Sequence, residues 1–343
     1  MQRVGEALRR AGVGVVYLVH GTFVGPDAFG LLAELGRVFP STTHNVRRVI
    51  QRIVDRITGE AGNFTEAYAA LFEQAINRHA DRPISVRRFH WSSENHHLGR
   101  ADGAVRLIDE LAALELDPGQ HVLLWGHSHA GNVFALLTNL LGGSDEAINS
   151  FFDAARVYYR WPVLGCIDIP VWWRVHQLLQ SPAASIRRLP LDLVTFGTPI
   201  RYGWESQGYA RLLHFVYHRP ARGMPEYRAA FPPKLQNVLR GAEGDYVQQL
   251  GIAGTDIRPS PLSWRARLAE NRLQHLLQAQ VPDRDPWDRF KAGQIVPDEG
   301  TTLLVDYGPM AGGVAQRHAG HAVYTSSQWL LFHAEEVVRQ FYA

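Results

Sequence analysis

Between the apolar run His121–Trp125 and the apolar helical stretch Ala130–Leu141 the chain has only Gly126, His127, Ser128 and His129 in which to turn. A strand that passes into a helix without a loop needs a sharp turn, and the residues two before and two after its apex must be small for the elements to approach each other. Gly126 and Ala130 meet that need on either side of Ser128, and Gly142-Gly143 terminates the helix. The pattern is that of a parallel sheet with helices packed on it, the apex of one strand-to-helix turn being a serine.

The remaining periodicity agrees. Val13–Val19 is an apolar, largely β-branched run flanked by Gly12 and Gly21, as expected of a strand covered on both faces. Ala67, Ala70, Leu71, Phe72 and Ile76 share one helical face and supply the crossover to a strand over Ile84–Trp91. Asp102–Leu114 carries Val105, Leu107, Ile108, Leu111 and Leu114 at helical intervals before Pro118-Gly119. Leu191–Phe196, Leu212–His218 and Thr302–Tyr307 resume the strand pattern, and Ser327–Phe341 reads as a final helix. This alternation predicts an α/β fold, a doubly wound, mostly parallel sheet in a single domain over residues 1–343.

Composition narrows the function. With 20% charged residues and a formal net charge of +2, and with no basic arm, the chain has no field or motif suited to nucleic acid. Cys166 is the only cysteine, which excludes an internal disulfide and a cysteine-based metal cluster. There is no apolar stretch of about 18 residues that could span a membrane, and Val13–Val19 runs into His20-Gly21 rather than a small-residue cleavage site. The expectation is a cytoplasmic protein without a transmembrane segment, whose oligomeric state the sequence leaves open.

Gly126-His127-Ser128-His129-Ala130-Gly131 resembles the nucleophile elbow of lipases and esterases in the α/β-hydrolase superfamily, departing from it in having Ala130 where the pattern has its second glycine. His20-Gly21-Thr22-Phe23, directly after the first strand, resembles the loop that supplies the second oxyanion donor in that superfamily. Phe89-His90-Trp91-Ser92 followed by Arg100, and Val194-Thr195-Phe196-Gly197-Thr198-Pro199, are similar to the units before and after the elbow. The likeness runs from about residue 13 to the C-terminus, outside the aromatic insertion.

A serine hydroxyl needs a base, a group that orients the base and donors for the oxyanion. The resemblance implies Ser128 as nucleophile, with the amides of His129 and Thr22, or Phe23 in its place, as oxyanion donors. In the superfamily's order of serine, acid and histidine, it implies His321 or His318 in Arg317-His318-Ala319-Gly320-His321 as the base, His321 being favoured because it follows a glycine and precedes the apolar start of the last helix. Gly244-Asp245-Tyr246-Val247 resembles the acid turn and implies Asp245, with Asp256 as the alternative. His127 and His129 diverge from a sharp turn and have no carboxylate at ligand spacing, so neither a metal nor another cofactor is expected.

From Asn149 to Leu179 the chain is crowded with Phe151, Phe152, Tyr158, Tyr159, Trp161, Trp172 and Trp173. Residues 149–189 read as an inserted cap, with Trp172, Trp173 and Phe23 as walls of an apolar substrate pocket. The expected activity is hydrolysis of a small-molecule or lipid-like carboxylic ester through a Ser-His-Asp triad. A thioesterase, amidase or acyltransferase would use the same groups, and a non-catalytic interaction module on this scaffold would need none of them together.

Overall fold

The computed structural model describes residues 1–21, 63–160, 169–181, 185–219, 223, 225–226, 244–248, 256–261, 263–278, 297–308 and 318–343. Six strands, β1 (Val13–Val19), β2 (Ser85–Phe89), β3 (His121–His127), β4 (Leu191–Phe196), β5 (Arg211–Tyr217) and β6 (Thr301–Val305), form one sheet in the order β2-β1-β3-β4-β5-β6. Every neighbouring pair is parallel. Among the described residues eight α-helices accompany it: α1 (Gln2–Arg10), α2 (Glu66–Asn77), α3 (His97–Ala112), α4 (Ala130–Gly142), α5 (Asp145–Tyr159), α6 (Pro170–Gln180), α7 (Trp264–Gln278) and α8 (Leu330–Phe341).

Alternation along the strands divides the core into two layers. Val15, Tyr17, Val122, Leu124, Leu191 and Leu193 face α3 to α7, whereas Val16, Leu18, Leu123, Trp125, Val194 and Phe196 face α1, α2 and α8. β1 is therefore apolar at every position but Gly14, and β3 is apolar over its middle four residues, because a central parallel strand is covered on both sides.

Helix starts follow local chemistry. Thr65 and Ser144 accept from the amides of Tyr68 and Ala147 at the starts of α2 and α5, and Pro170 occupies the first turn of α6, where its missing N–H costs nothing. At α3 His96 occupies the N-cap position, with its Nδ1 2.9 Å from the Gly99 nitrogen and 3.4 Å from the Glu270 carboxylate of α7, which accepts from the amides of His97 and Leu98 at 3.1 and 2.7 Å. A negative group at a helix N-terminus complements the helix dipole, so α3 and α7 are fastened end to side.

The aromatic segment takes a different place from the one expected of it. Its described parts, α5 and α6, join the helical layer: Phe151, Phe152, Tyr158, Tyr159 and Trp172 belong to the same buried cluster as β1, β3, α3 and α4. Trp172 has no exposed surface; its ring stacks on Phe151 and Tyr159, and its Nε1–H donates to Asp102 at 2.7 Å. The reading of Trp172 as a pocket wall is thus corrected, since its indole is taken up by packing and its N–H by a carboxylate. Trp173, the next residue around the helix, is 51% exposed.

Trp172→Ala should therefore lower stability by about 3–5 kcal/mol, the usual cost of emptying a large aromatic site in a core. Trp173→Ala should change it by no more than about 0.5 kcal/mol. Urea unfolding of both variants checks this, and equal effects would show that the indole of Trp172 is replaceable.

Candidate active site

The C-terminal ends of parallel strands form one edge of the sheet, where the chain leaves each strand for a turn. Gly21 after β1, Trp91 and Ser93 after β2, Ser128 after β3, Gly197 after β4 and Asp245 beyond β5 gather there. His321 arrives in the 3₁₀ helix His318–Thr325, after β6.

Ser128 has φ +57, a left-handed backbone that costs a residue with a Cβ on the order of 1–2 kcal/mol. The turn is held on both sides: the Ser128 amide donates to the Phe196 carbonyl at 2.8 Å, and Thr198 Oγ1 donates to the Ser128 carbonyl at 2.8 Å. The requirement for small neighbours is visible, since a Cβ at Gly126 would lie 2.5 Å from the Phe134 ring and 3.1 Å from the Ala130 Cβ. With glycine on one side, the alanine on the other fits. His129, next in the chain, occupies the N-cap position of α4 without a side-chain cap bond, and among the described residues its amide has no acceptor.

His321 and Asp245 are paired. Nδ1–H of His321 donates to Asp245 Oδ2 at 2.6 Å, and both side chains are buried. The other oxygen of Asp245 accepts from the Gln248 amide at 2.9 Å, while Gln248 Nε2 donates to the Thr198 carbonyl at 3.0 Å, so the acid is tied to the segment that holds Ser128. Burial first, and then the negative charge of Asp245, keeps the Tyr324 phenol far above its ordinary pKa and therefore neutral. The Nε2 atom of His321 is buried and has no hydrogen-bond partner among the described residues. His127, adjacent to Ser128, donates from Nε2 to the His321 carbonyl at 3.1 Å and lays its ring 4.4 Å from that of His321.

Asp256, the alternative acid, lies in another network. It accepts from Arg100 at 2.9 Å, pairs with Arg201, and lies 3.4 Å from His97. Burial would raise its pKa, but the charges of Arg100 and Arg201 outweigh that and hold it well below the usual carboxylate range. The fully buried Arg100 also donates to Tyr202 and Asn95, and Tyr202 O–H donates to His97 Nδ1 at 2.8 Å. Burial, reinforced by Arg100 and Arg201, keeps His129 neutral, and Asn132 Nδ2 donates to its Nδ1 at 3.1 Å.

Thr22 and Phe23 lie outside the described residues, as does the side chain of His318. Sequence reasoning passed over Arg100 as a network centre, although it shares a helical stripe with Ala104, Leu107 and Leu111, a position where a charge must find a buried partner. It also passed over Ser93, and it named His20 only as the first residue of the loop motif after β1. Among the described residues no group of His, Cys, Asp or Glu side chains is arranged to hold a metal ion, and no helix is long and apolar enough to cross a membrane. Comparison of the chain with family models, with curated proteins and with solved structures finds no match.

The buried histidines predict the pH dependence of stability. Burial lowers His97 and His214 to about 4 and His333 to about 3. Below the unfolded value of about 6.5, the unfolded chain binds protons that these residues refuse, so stability falls by about 1.4 kcal/mol per pH unit per histidine as pH drops towards about 4. His96 has the opposite sign. Burial disfavours its charge, but Glu270 and Glu94 prevail and raise it to about 9, so its contribution is complete below about 6.5 and is lost as pH rises through about 9. Urea midpoints should peak near neutrality and fall more steeply on the acid side; a flat profile down to pH 5 would contradict it.

Proposed function

We propose that this protein is a serine hydrolase of the α/β-hydrolase type that cleaves carboxylic esters through an acyl-enzyme. The observation that carries the reading is the meeting, at one edge of the sheet, of a strained serine turn and a buried Asp245–His321 pair, with His127 linking the two. A strained backbone held by bonds on both sides is characteristic of functional turns.

In this reading Ser128 Oγ attacks the ester carbonyl and passes its proton to His321 Nε2, the imidazole nitrogen that Asp245 leaves open. Asp245 holds the Nδ1–H tautomer and stabilises the imidazolium as it forms. The amide of His129, at the positive end of α4, and that of Thr22 receive the oxyanion. His321 returns the proton to the leaving alcohol, and water then releases the acid by the same steps in reverse order. The neutral, buried His129 adds no competing charge beside the nucleophile.

The apolar acyl or alcohol portion expected of the substrate must be bound by residues other than Trp172. The test is labelling by a fluorophosphonate together with hydrolysis of p-nitrophenyl esters. Labelling at Ser128 that heat denaturation abolishes supports the reading, and a folded protein that neither labels nor hydrolyses overturns it.

A further inference from the structure

Ser93 has φ +63, and apart from Ser128 and His79 no non-glycine residue among those described has a positive φ. It is fully buried. Left-handed backbone is ordinarily given to glycine, asparagine or aspartate, so a serine retained there needs a reason in its hydroxyl. That hydroxyl donates to the Gly21 carbonyl at 3.0 Å and lies 3.0 Å from His20 Nδ1. Two residues earlier, Trp91 Nε1–H donates to the carbonyl of His20 at 2.8 Å, and the Trp91 and His20 rings are stacked. The end of β2 thus grips two successive carbonyls of the chain leaving β1.

The Gly21 backbone lies against the turn that carries Ser128. A Cβ at Gly21 would be 2.5 Å from Ser128 Cβ and 3.1 Å from its Oγ. In a trans peptide the amide hydrogen points opposite the carbonyl oxygen, so whatever fixes the Gly21 carbonyl also fixes the direction of the donor in the same peptide group. We propose that Ser93 is a positioning residue for the oxyanion: its hydroxyl, together with His20 Nδ1, which lies 3.0 Å from the same carbonyl, sets the orientation of the Gly21 peptide beside Ser128. The inference rests on the serine-hydrolase reading above and extends it to a residue that touches no substrate.

The experiment compares Ser93→Gly with Ser93→Ala. Both remove the hydroxyl, but glycine relieves the left-handed backbone and alanine keeps it, so the two separate the hydroxyl's role from stability. Expected is the same fall in kcat for p-nitrophenyl acetate in both variants, about 10- to 100-fold, somewhat less than the loss of a whole oxyanion donor. KM should stay within about threefold, and the urea midpoint of Ser93→Gly should be no lower than that of the wild type. Affinity for a boronic acid, which mimics the tetrahedral species, should fall by the same factor as kcat. Wild-type kcat in Ser93→Gly, or activities that merely follow the unfolding midpoints, would overturn the proposal while leaving the serine-hydrolase reading intact. A wild-type protein that neither labels nor hydrolyses would overturn both.

Discussion

Ser128→Ala is expected to lower ester turnover by roughly four to six orders of magnitude, since removing the nucleophile leaves only the oxyanion donors and binding. The fold should be unaffected, because alanine keeps the Cβ and loses a single oxygen, while the backbone bonds that hold the turn remain. Ser128→Gly sharpens the test. It removes the same hydroxyl and also the Cβ that makes φ +57 unfavourable, so it should be equally inactive yet more stable than the wild type by about 1 kcal/mol, after allowing for glycine's greater freedom when unfolded. A protein that gains stability as it loses activity is one in which strain is maintained for function. Steady-state kinetics with p-nitrophenyl acetate and urea unfolding measure both quantities. Turnover within tenfold of the wild type in either variant would remove Ser128 from the chemistry.

The second large effect separates the two aspartates. Asp245→Asn should lower kcat about 10⁴-fold with little change in KM, because an amide facing His321 Nδ1 favours the tautomer that places the proton on Nε2, where the base must be free. Asp256→Asn should act on stability instead. It deprives the buried Arg100 and Arg201 of their shared carboxylate, for which about 3 kcal/mol is expected, the lower end of the range because Asp256 keeps 20% of its side-chain surface in contact with solvent. Its effect on kcat should be far smaller than that of Asp245→Asn. If Asp256→Asn stops turnover in a folded protein while Asp245→Asn does not, the buried pair at 2.6 Å is structural and the acid lies elsewhere.

The strands were legible because parallel strands covered on both faces leave continuous apolar runs: β1 and β4 have the bounds read from the sequence, and β3 continues two residues further, into the turn that presents Ser128. Helix α7 went unassigned. Its inward residues are Ala266, Ala269 and Leu273, which are small or sparse, while Trp264 and Leu268 face outward, so no apolar stripe marks it. Helix α3 begins at His97, ahead of the predicted Asp102, because its first turn is made by the carboxylate of Glu270, remote in the chain.

By itself the sequence determined the sheet and the sharp turn at Ser128, because both depend on side-chain size and periodicity among residues close together in the chain. Where the aromatic segment packs, and which of Asp245 and Asp256 faces His321, was decided only by the tertiary structure. Phe151 and Trp172 have the same composition in a pocket wall as in a core, and only their burial in the helical layer tells which they are. The two aspartates stand in similar sequence contexts, Gly244-Asp245 and Gly254-Thr255-Asp256, and what distinguishes them is the partner each meets across the fold: the Nδ1–H of His321 for one, two guanidinium groups for the other. The same holds for Ser93, an ordinary serine in the sequence, whose left-handed backbone and bond to Gly21 exist only once β2 lies beside β1.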